Sequence, residues 1–267
     1  MNIRTVKMGL LYLCCLCVFW EASYVFAAIA PNPIIQADLK TLFTNPPEVN
    51  GYPYQDLLTT ASDRYGLSLA YVLAVVRGES FFDPKAKSHK GALGLMQVMP
   101  STASEYGVTS QDLIDPAKNI DVGVHYLSDL YAQLKDPYLA LAAYYCGPGG
   151  VDVENFTLRE DCNEYVHYIH AHLKKILSGA GKKAPGTTGT KQHFVLTRFD
   201  NFLDAEQFLS FLSNKLSNLE LDIFRDEVVR SDHVRYQYKI MAAYEKTDGK
   251  DEICSSVEKA TGFSFCN

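Results

Sequence analysis

The chain has 267 residues, a formal net charge of −6 and 47% hydrophobic residues, enough for one or two domains with real cores. The negative charge argues against nucleic acid as a partner and against plain electrostatic adhesion to an anionic surface, so recognition of a polymer must rest on shaped contacts. At the start, Arg4 and Lys7 precede an apolar run over residues 8–20, and Val25-Phe26-Ala27 offers small residues where a signal peptidase reads. The run is shorter than the roughly 20 residues a membrane span needs, so residues 1–27 read as a secretory signal cleaved near Ala27 or Ala30 rather than as an anchor. Cys14, Cys15 and Cys17 lie inside it without the small residues that precede a lipidated cysteine.

Residues 28–53 are rich in Pro and Asn, with one short apolar stretch around Leu39, and read as a leader or loosely docked arm. A helical domain follows over residues 54–178. Residues 55–65 form its first predicted helix. The second runs over residues 68–79, with Ser68 as N-cap and Leu69, Val72, Leu73 and Val76 at helical spacing. A glycine-rich loop comes next, Gly91-Ala92-Leu93-Gly94-Leu95-Met96-Gln97. A helix over residues 116–134 uses Ile120, Val124, Leu127 and Leu130 as its apolar positions, and residues 138–145 are so apolar that they predict a buried helix. Gly147-Pro148-Gly149-Gly150 ends that helix. The last helix of this domain, residues 163–177, places Tyr165, Ile169, His172 and Ile176 on one stripe. His167 and His170 share a face, but no carboxylate or thiolate stands beside them at ligand spacing, so no metal or other cofactor is expected.

Residues 179–191 carry the Gly, Thr and Lys of a flexible linker. A small α/β domain over residues 192–267 then reads as strand, helix, strand, strand, helix, strand. Its first strand covers residues 194–199, and Asp204 with Gln207 suggests a capping box for a helix that uses Phe208, Phe211, Leu212 and Leu216. Leu219, Leu221 and Ile223, then Tyr236, Tyr238 and Ile240, alternate with polar residues as strands do. A helix over residues 253–260 and a short strand over residues 263–265 complete the order of a split βαβ, or ferredoxin-like, fold.

The chemistry is expected at Glu79. It sits where the second helix ends, close to unpaired carbonyls and to Leu73, Val76 and Phe82, and both the partial negative charge and the burial disfavour its charged form. A glutamic acid kept protonated near neutral pH can hand a proton to a glycosidic oxygen. Its neighbours point the same way. Glu79-Ser80, Asp83-Pro84-Lys85-Ala86, Ser88, the loop from Gly91 to Gln97, Pro100-Ser101-Thr102-Ala103, Asn119-Ile120, Gly123-Val124, Tyr126-Leu127, Ala142-Ala143-Tyr144, Gly147-Pro148-Gly149 and Tyr165-Val166 resemble, in order and spacing, the soluble lytic transglycosylase (SLT) domain. The likeness covers about half of the chain, from Tyr54 to Leu177.

That resemblance implies an α+β chain: a lysozyme-like, mainly helical catalytic domain followed by the small βαββαβ domain, which is faintly similar to SPOR domains that bind glycan strands. It implies a periplasmic or wall-directed monomer that acts on peptidoglycan strands. The expected reaction cleaves the bond between N-acetylmuramic acid and N-acetylglucosamine and leaves a 1,6-anhydro end, with Glu79 as acid and then base. Ser80, Ser88 and Gln97 are expected to bind substrate or hold the acid, Met96 to pack on a sugar face or in the core, and the Tyr144 hydroxyl to orient Glu79. Gly78 either lets a sugar or backbone come close or marks a helix end. Asp83, in Phe82-Asp83-Pro84, reads as a turn residue rather than a second catalytic acid. The alternatives are a water-using muramidase and a wall-binding scaffold without turnover; a secretion or conjugation apparatus is a possible partner.

Two departures from the family pattern stand out. Tyr145 replaces the usual Asn, which puts binding detail in question more than chemistry. Cys146 and Cys162 occupy positions where the family usually has Ala and Thr. Outside the leading segment the chain has Cys146, Cys162, Cys254 and Cys266, for which three pairings exist. The gain of a cysteine in each of two adjoining motifs implies a Cys146–Cys162 bridge, with Cys254 and Cys266 as the other candidates; two buried thiols are the alternative.

Overall fold

The computed structural model describes residues 28–180, 192–230, 233–245 and 249–265. The expected signal segment, residues 181–191 of the expected linker and Cys266 therefore lie outside the described residues. None of the described helices is long and apolar enough to cross a membrane.

Helix α1 (Pro33–Thr44) starts where the Asn32 side chain accepts from the backbone N–H groups of Ile34 and Ile35, with Pro33 preset for the first turn. Ile35, Leu39 and Leu42 are buried, and α1 packs on α6. The Gln36 amide donates to Asp136 at 2.7 Å and Lys40 pairs with the same carboxylate at 3.0 Å. Ahead of it, Ile29 and Leu158 exchange two backbone hydrogen bonds of 2.9 Å. The loosely docked arm expected over residues 28–53 is thus an integral part of the first domain. Its Asn and Pro content marks a capped helix start rather than an unstructured leader.

The rest of the first domain comprises α2 (Gln55–Tyr65), α3 (Leu69–Ser80), α4 (Pro100–Glu105), α5 (Pro116–Leu134), α6 (Pro137–Cys146), the short hairpin β1 (Val151–Asp152) and β2 (Thr157–Leu158), and α7 (Glu160–Leu177). Asp115 and Asp136 cap α5 and α6 by accepting from the second and third N–H groups of each helix, with Pro at the first position of both. Almost every residue of α3 is buried, because α1, α2 and α7 all pack around it. The tightest approach is at Gly78, where an added Cβ would collide with Ile169 Cδ1 of α7 and come within 3.3 Å of His172 and Tyr168. Close helix contact is therefore what this glycine serves. The expected Cys146–Cys162 disulfide joins the end of α6 to the first turn of α7.

The second domain consists of β3 (Gln192–Phe199), α8 (Phe202–Lys215), β4 (Leu221–Arg230), β5 (His233–Tyr244) and α9 (Gly249–Thr261). Its sheet has the order β3-β5-β4 with both pairs antiparallel, which is the central arrangement of a split βαβ fold. Two expectations need correction. Residues 262–265 form no strand: Phe265 turns its ring onto Phe208 of α8, at 5.0 Å between centroids, and does not extend the ladder. Helix α8 begins three residues earlier than the Asp204 capping box, because Asn201 accepts from the Asp204 N–H at 2.9 Å. Phe202, Ala205 and Leu212 are its buried face, while Phe211, expected in the core, is exposed.

Candidate active site

Helix α3 delivers Glu79 on its last turn. The chain then swings away through two consecutive left-handed residues, Phe81 (φ 50°) and Phe82 (φ 65°), an uncommon backbone for aromatic side chains. The Glu79 side chain is 8% exposed. Its Oε1 accepts from the Tyr165 hydroxyl of α7 at 2.6 Å, and its Oε2 accepts from Arg225 Nη2 at 3.3 Å. Burial pushes the carboxyl pKa above its ordinary value, opposed first by the Arg225 charge and then by the Tyr165 hydrogen bond. The Glu227 carboxylate adds a smaller upward push. The direction is that expected of a proton donor, and its cause is mainly loss of solvent.

The glycine-rich loop is tied down from three sides. Leu93 and Val98 exchange backbone hydrogen bonds of 3.0 Å, which closes a tight turn with Gly94 and Gln97 in the positive-φ region. Asn119 of α5 receives the Met96 N–H at 2.8 Å and donates to the carbonyls of Leu93 and Leu113 at 2.8 and 2.9 Å. The Ser80 hydroxyl donates to Leu95 O at 2.7 Å, and the Gln97 amide donates to Ala86 O and Gly94 O at 3.1 and 2.9 Å. Ser88 accepts from the Ala92 N–H at 3.0 Å. The Tyr144 hydroxyl donates to Met96 O at 2.8 Å. The orienting bond to Glu79 that was expected of Tyr144 is thus made by Tyr165, since the pitch of α7 aims its phenol at the carboxyl while α6 aims Tyr144 at the loop. Met96 is fully buried against Gly123 and is no sugar platform. Asp83 accepts from the Lys85 N–H at 2.9 Å, the bond of a turn residue.

A cavity of about 450 Å³ opens above Glu79. Ser88, Gln97, Tyr144 and Tyr145 line it from the first domain, and Arg225, Glu227 and Tyr236 from the second. Ser88 and Gln97 therefore face the cavity even though parts of their polar groups are used within the loop. Tyr165, Arg225, Glu227 and Tyr236 are the site residues that sequence reasoning missed. Tyr165 was visible inside the Tyr165-Val166 motif but counted as core; nothing in the sequence marks the other three. Of the histidines of α7, His170 pairs with Asp38 at 2.9 Å, and the buried ring of His172 lies against Arg77 and edge-on to Phe81. Burial lowers the pKa of His167, His170 and His172, most strongly that of His172.

Residues 56–158 match the Transglycosylase SLT domain family. The soluble lytic murein transglycosylase of Salmonella typhimurium is 40% identical over 108 residues, 37% of this chain and 17% of that protein. Membrane-bound lytic murein transglycosylase F of Desulfosudis oleivorans is 42% identical over 105 residues, covering 37% of this chain and 23% of that one. Membrane-bound lytic murein transglycosylase C of Mannheimia succiniciproducens is 36% identical over 127 residues, covering 41% and 36%. The chain therefore spans between 17% and 36% of the length of these curated relatives. Among solved structures, the 70 kDa soluble lytic transglycosylase of Escherichia coli aligns over 48% of this chain and 25% of that one, at 27% identity and a TM-score of 0.41.

Proposed function

We propose that this protein, with an SLT domain over residues 56–158, is an exported lytic transglycosylase that cuts the β-1,4 bond between N-acetylmuramic acid and N-acetylglucosamine in peptidoglycan. The observation that carries the reading is Glu79 itself. It is a buried carboxyl with a raised pKa, lying at the floor of a two-walled cavity. In the first half of the reaction the protonated carboxyl gives its proton to the leaving glycosidic oxygen as the C1–O bond breaks, and the muramic N-acetyl group steadies the positive centre. In the second half the carboxylate takes the proton from the muramic 6-hydroxyl while that oxygen bonds to C1, which closes the anhydro ring. No water is consumed. The attack is intramolecular and gains from proximity, so it needs no second carboxylate to activate a nucleophile.

Glu227 in the same cavity favours one competing reading, a muramidase in which a second carboxylate activates water. Both Glu227 oxygens already accept hydrogen bonds, Oε2 from the His89 N–H at 2.6 Å and Oε1 from Tyr236 at 3.2 Å, which weighs against it. Digestion of purified sacculi by the parent protein and by Glu79→Gln, with mass analysis of the products, is the test. Anhydro ends from the parent and none from the variant are expected. Reducing ends would replace the proposal with the muramidase, absence of any release would replace it with a binding protein, and equal release by Glu79→Gln would refute it.

A further inference from the structure

Of the second-domain residues that line the cavity, Arg225 bonds directly to Glu79, 146 positions away along the chain. Arg225 on β4 is 9% exposed, and its guanidinium carbon lies 4.6 to 5.3 Å from the ring centres of four tyrosines. Tyr145, Tyr165 and Tyr168 come from the first domain and Tyr236 from β5. Tyr145 and Tyr165 are stacked on each other, 4.8 Å apart and 11° from parallel. A desolvated guanidinium surrounded by aromatic faces is strongly held. Here it is also anchored along the strand: Phe224 stacks on Phe81 at 3.8 Å, Asp222 pairs with Arg77, and the Arg225 N–H donates to the Tyr168 hydroxyl at 3.4 Å.

We propose that the second domain completes the active site, with Arg225 as a positioning residue that holds Oε2 of the Glu79 carboxylate while Tyr165 holds Oε1, and with Tyr145 as the platform on which its guanidinium sits. The inference rests on the reading of Glu79 as acid and then base. A carboxyl buried among apolar groups alone would keep its proton too firmly to recover one from the 6-hydroxyl. A carboxylate paired with a solvated cation would not hold the proton it has to give. Arg225 supplies the opposing pull, and the proton leaves Glu79 when C1–O breaks and returns when the 6-oxygen bonds to C1. The groups that act on Glu79 include Tyr144 and Tyr145 of α6, Tyr165 and Tyr168 of α7, and Arg225 and Glu227 of β4; Lys87, His89 and Lys90 of the loop and Asp226 and Tyr236 of the strand pair line the same cavity, and among the described residues Arg225 is the cation that bonds to the carboxylate. The replacement of the usual Asn by Tyr145 is then accounted for, because an asparagine offers no face for the guanidinium.

The test measures anhydro-muropeptide release from purified sacculi across acidic to mildly alkaline pH. It uses the full chain and its variants Arg225→Gln, Arg225→Lys, Tyr145→Asn and Glu79→Gln, with a melting temperature for each. Arg225→Gln should lose roughly tenfold to a hundredfold in optimal rate, the range for a lost charge-assisted hydrogen bond. Its alkaline limb should move to higher pH, because the pull toward the ionised form is gone. Arg225→Lys should keep the parent's limb and recover part of the rate. Tyr145→Asn should move the limb in the same direction by less, and it decides the matter if Arg225→Gln does not fold. A folded Arg225→Gln or Tyr145→Asn with the parent's rate and limb, beside an inactive Glu79→Gln, would overturn this inference and leave the reading of Glu79 intact. Faster turnover by Arg225→Gln would overturn it too and make the contact a closed gate. Activity in Glu79→Gln would instead remove the reading beneath it.

Discussion

Two glycines of the loop beside Glu79 separate backbone strain from crowding. Gly91 and Gly94 both have positive φ, 90° and 75°. A Cβ at Gly91 meets nothing within 4 Å, whereas one at Gly94 would collide with Asn119 Nδ2 and lie 2.5 Å from the backbone oxygen of Leu113. Gly91→Ala should therefore cost only the left-handed backbone, about 1 kcal/mol. Gly94→Ala carries the same strain and adds overpacking of about 1–3 kcal/mol against a backbone atom that cannot rotate away. If Asn119 yields instead, its bonds to Met96, Leu93 and Leu113 weaken at roughly 1 kcal/mol each. Either route puts the loss for Gly94→Ala at about 2–4 kcal/mol. Urea denaturation of both variants, read as a midpoint shift at constant slope, measures the difference. Sacculus digestion should fall further for Gly94→Ala, since Tyr144 and Ser80 hold the same loop through Met96 O and Leu95 O. Equal stability losses at the two positions would refute the claim that Asn119 and Leu113 fix the loop.

Leu39→Ala removes a fully buried side chain of α1 and should cost about 2–5 kcal/mol in denaturant titration, where a loosely docked arm would cost almost nothing. Replacing Cys146 and Cys162 together with Ala opens a crosslink between residues 16 apart, and loop closure puts the loss at roughly 3 kcal/mol; an unchanged midpoint would show that the bridge does not constrain the unfolded chain. Tyr165→Phe deletes a hydrogen bond that favours the ionised form of Glu79, so the carboxyl pKa rises further and the alkaline limb of transglycosylase activity moves to higher pH; a limb that stays fixed or moves down contradicts the assigned donor.

The helical domain was largely legible because its signals are local. Residues 55–65 and 116–134 are helices at the bounds their spacing predicts, and the buried stripe Tyr165, Ile169, His172, Ile176 is as expected. Helix α1 escaped notice because Asn and Pro were weighed as loop composition, although Asn32-Pro33 is also a cap followed by a first-turn proline. The absent strand at residues 263–265 failed differently, since two phenylalanines spaced by one residue fit a strand or a loop that drops one ring onto a helix. At the site, Glu79 could be found from the company it keeps in sequence. Which phenol reaches it could not, because that depends on the rotation of α6 and α7 about their axes. Arg225 carries no local signature at all: an arginine in an alternating strand reads as a solvated residue until the fold shows what lies beyond the edge.

That edge explains why the arginine can be fixed there. β4 is an outer strand of its sheet, and an exposed outer strand leaves backbone donors and acceptors open to pairing with other chains. Here the first domain takes up two of them: Lys175 Nζ donates to Leu221 O at 2.7 Å and the Tyr168 hydroxyl accepts from the Arg225 N–H, while the strand's own Asp222 accepts from the Ile223 N–H at 2.9 Å. The strand is thus committed through its backbone as well as through Phe224 and Asp222. Moving Arg225 away from Glu79 would require breaking these contacts together, which distinguishes a wall of the site from a module that merely hangs on a tether. The same commitment fixes the shape of the cavity above Glu79, with Ser88 and Gln97 of the loop on one face and Glu227 and Tyr236 of the strand pair on the other; under the proposed function a glycan strand would reach Glu79 between these faces.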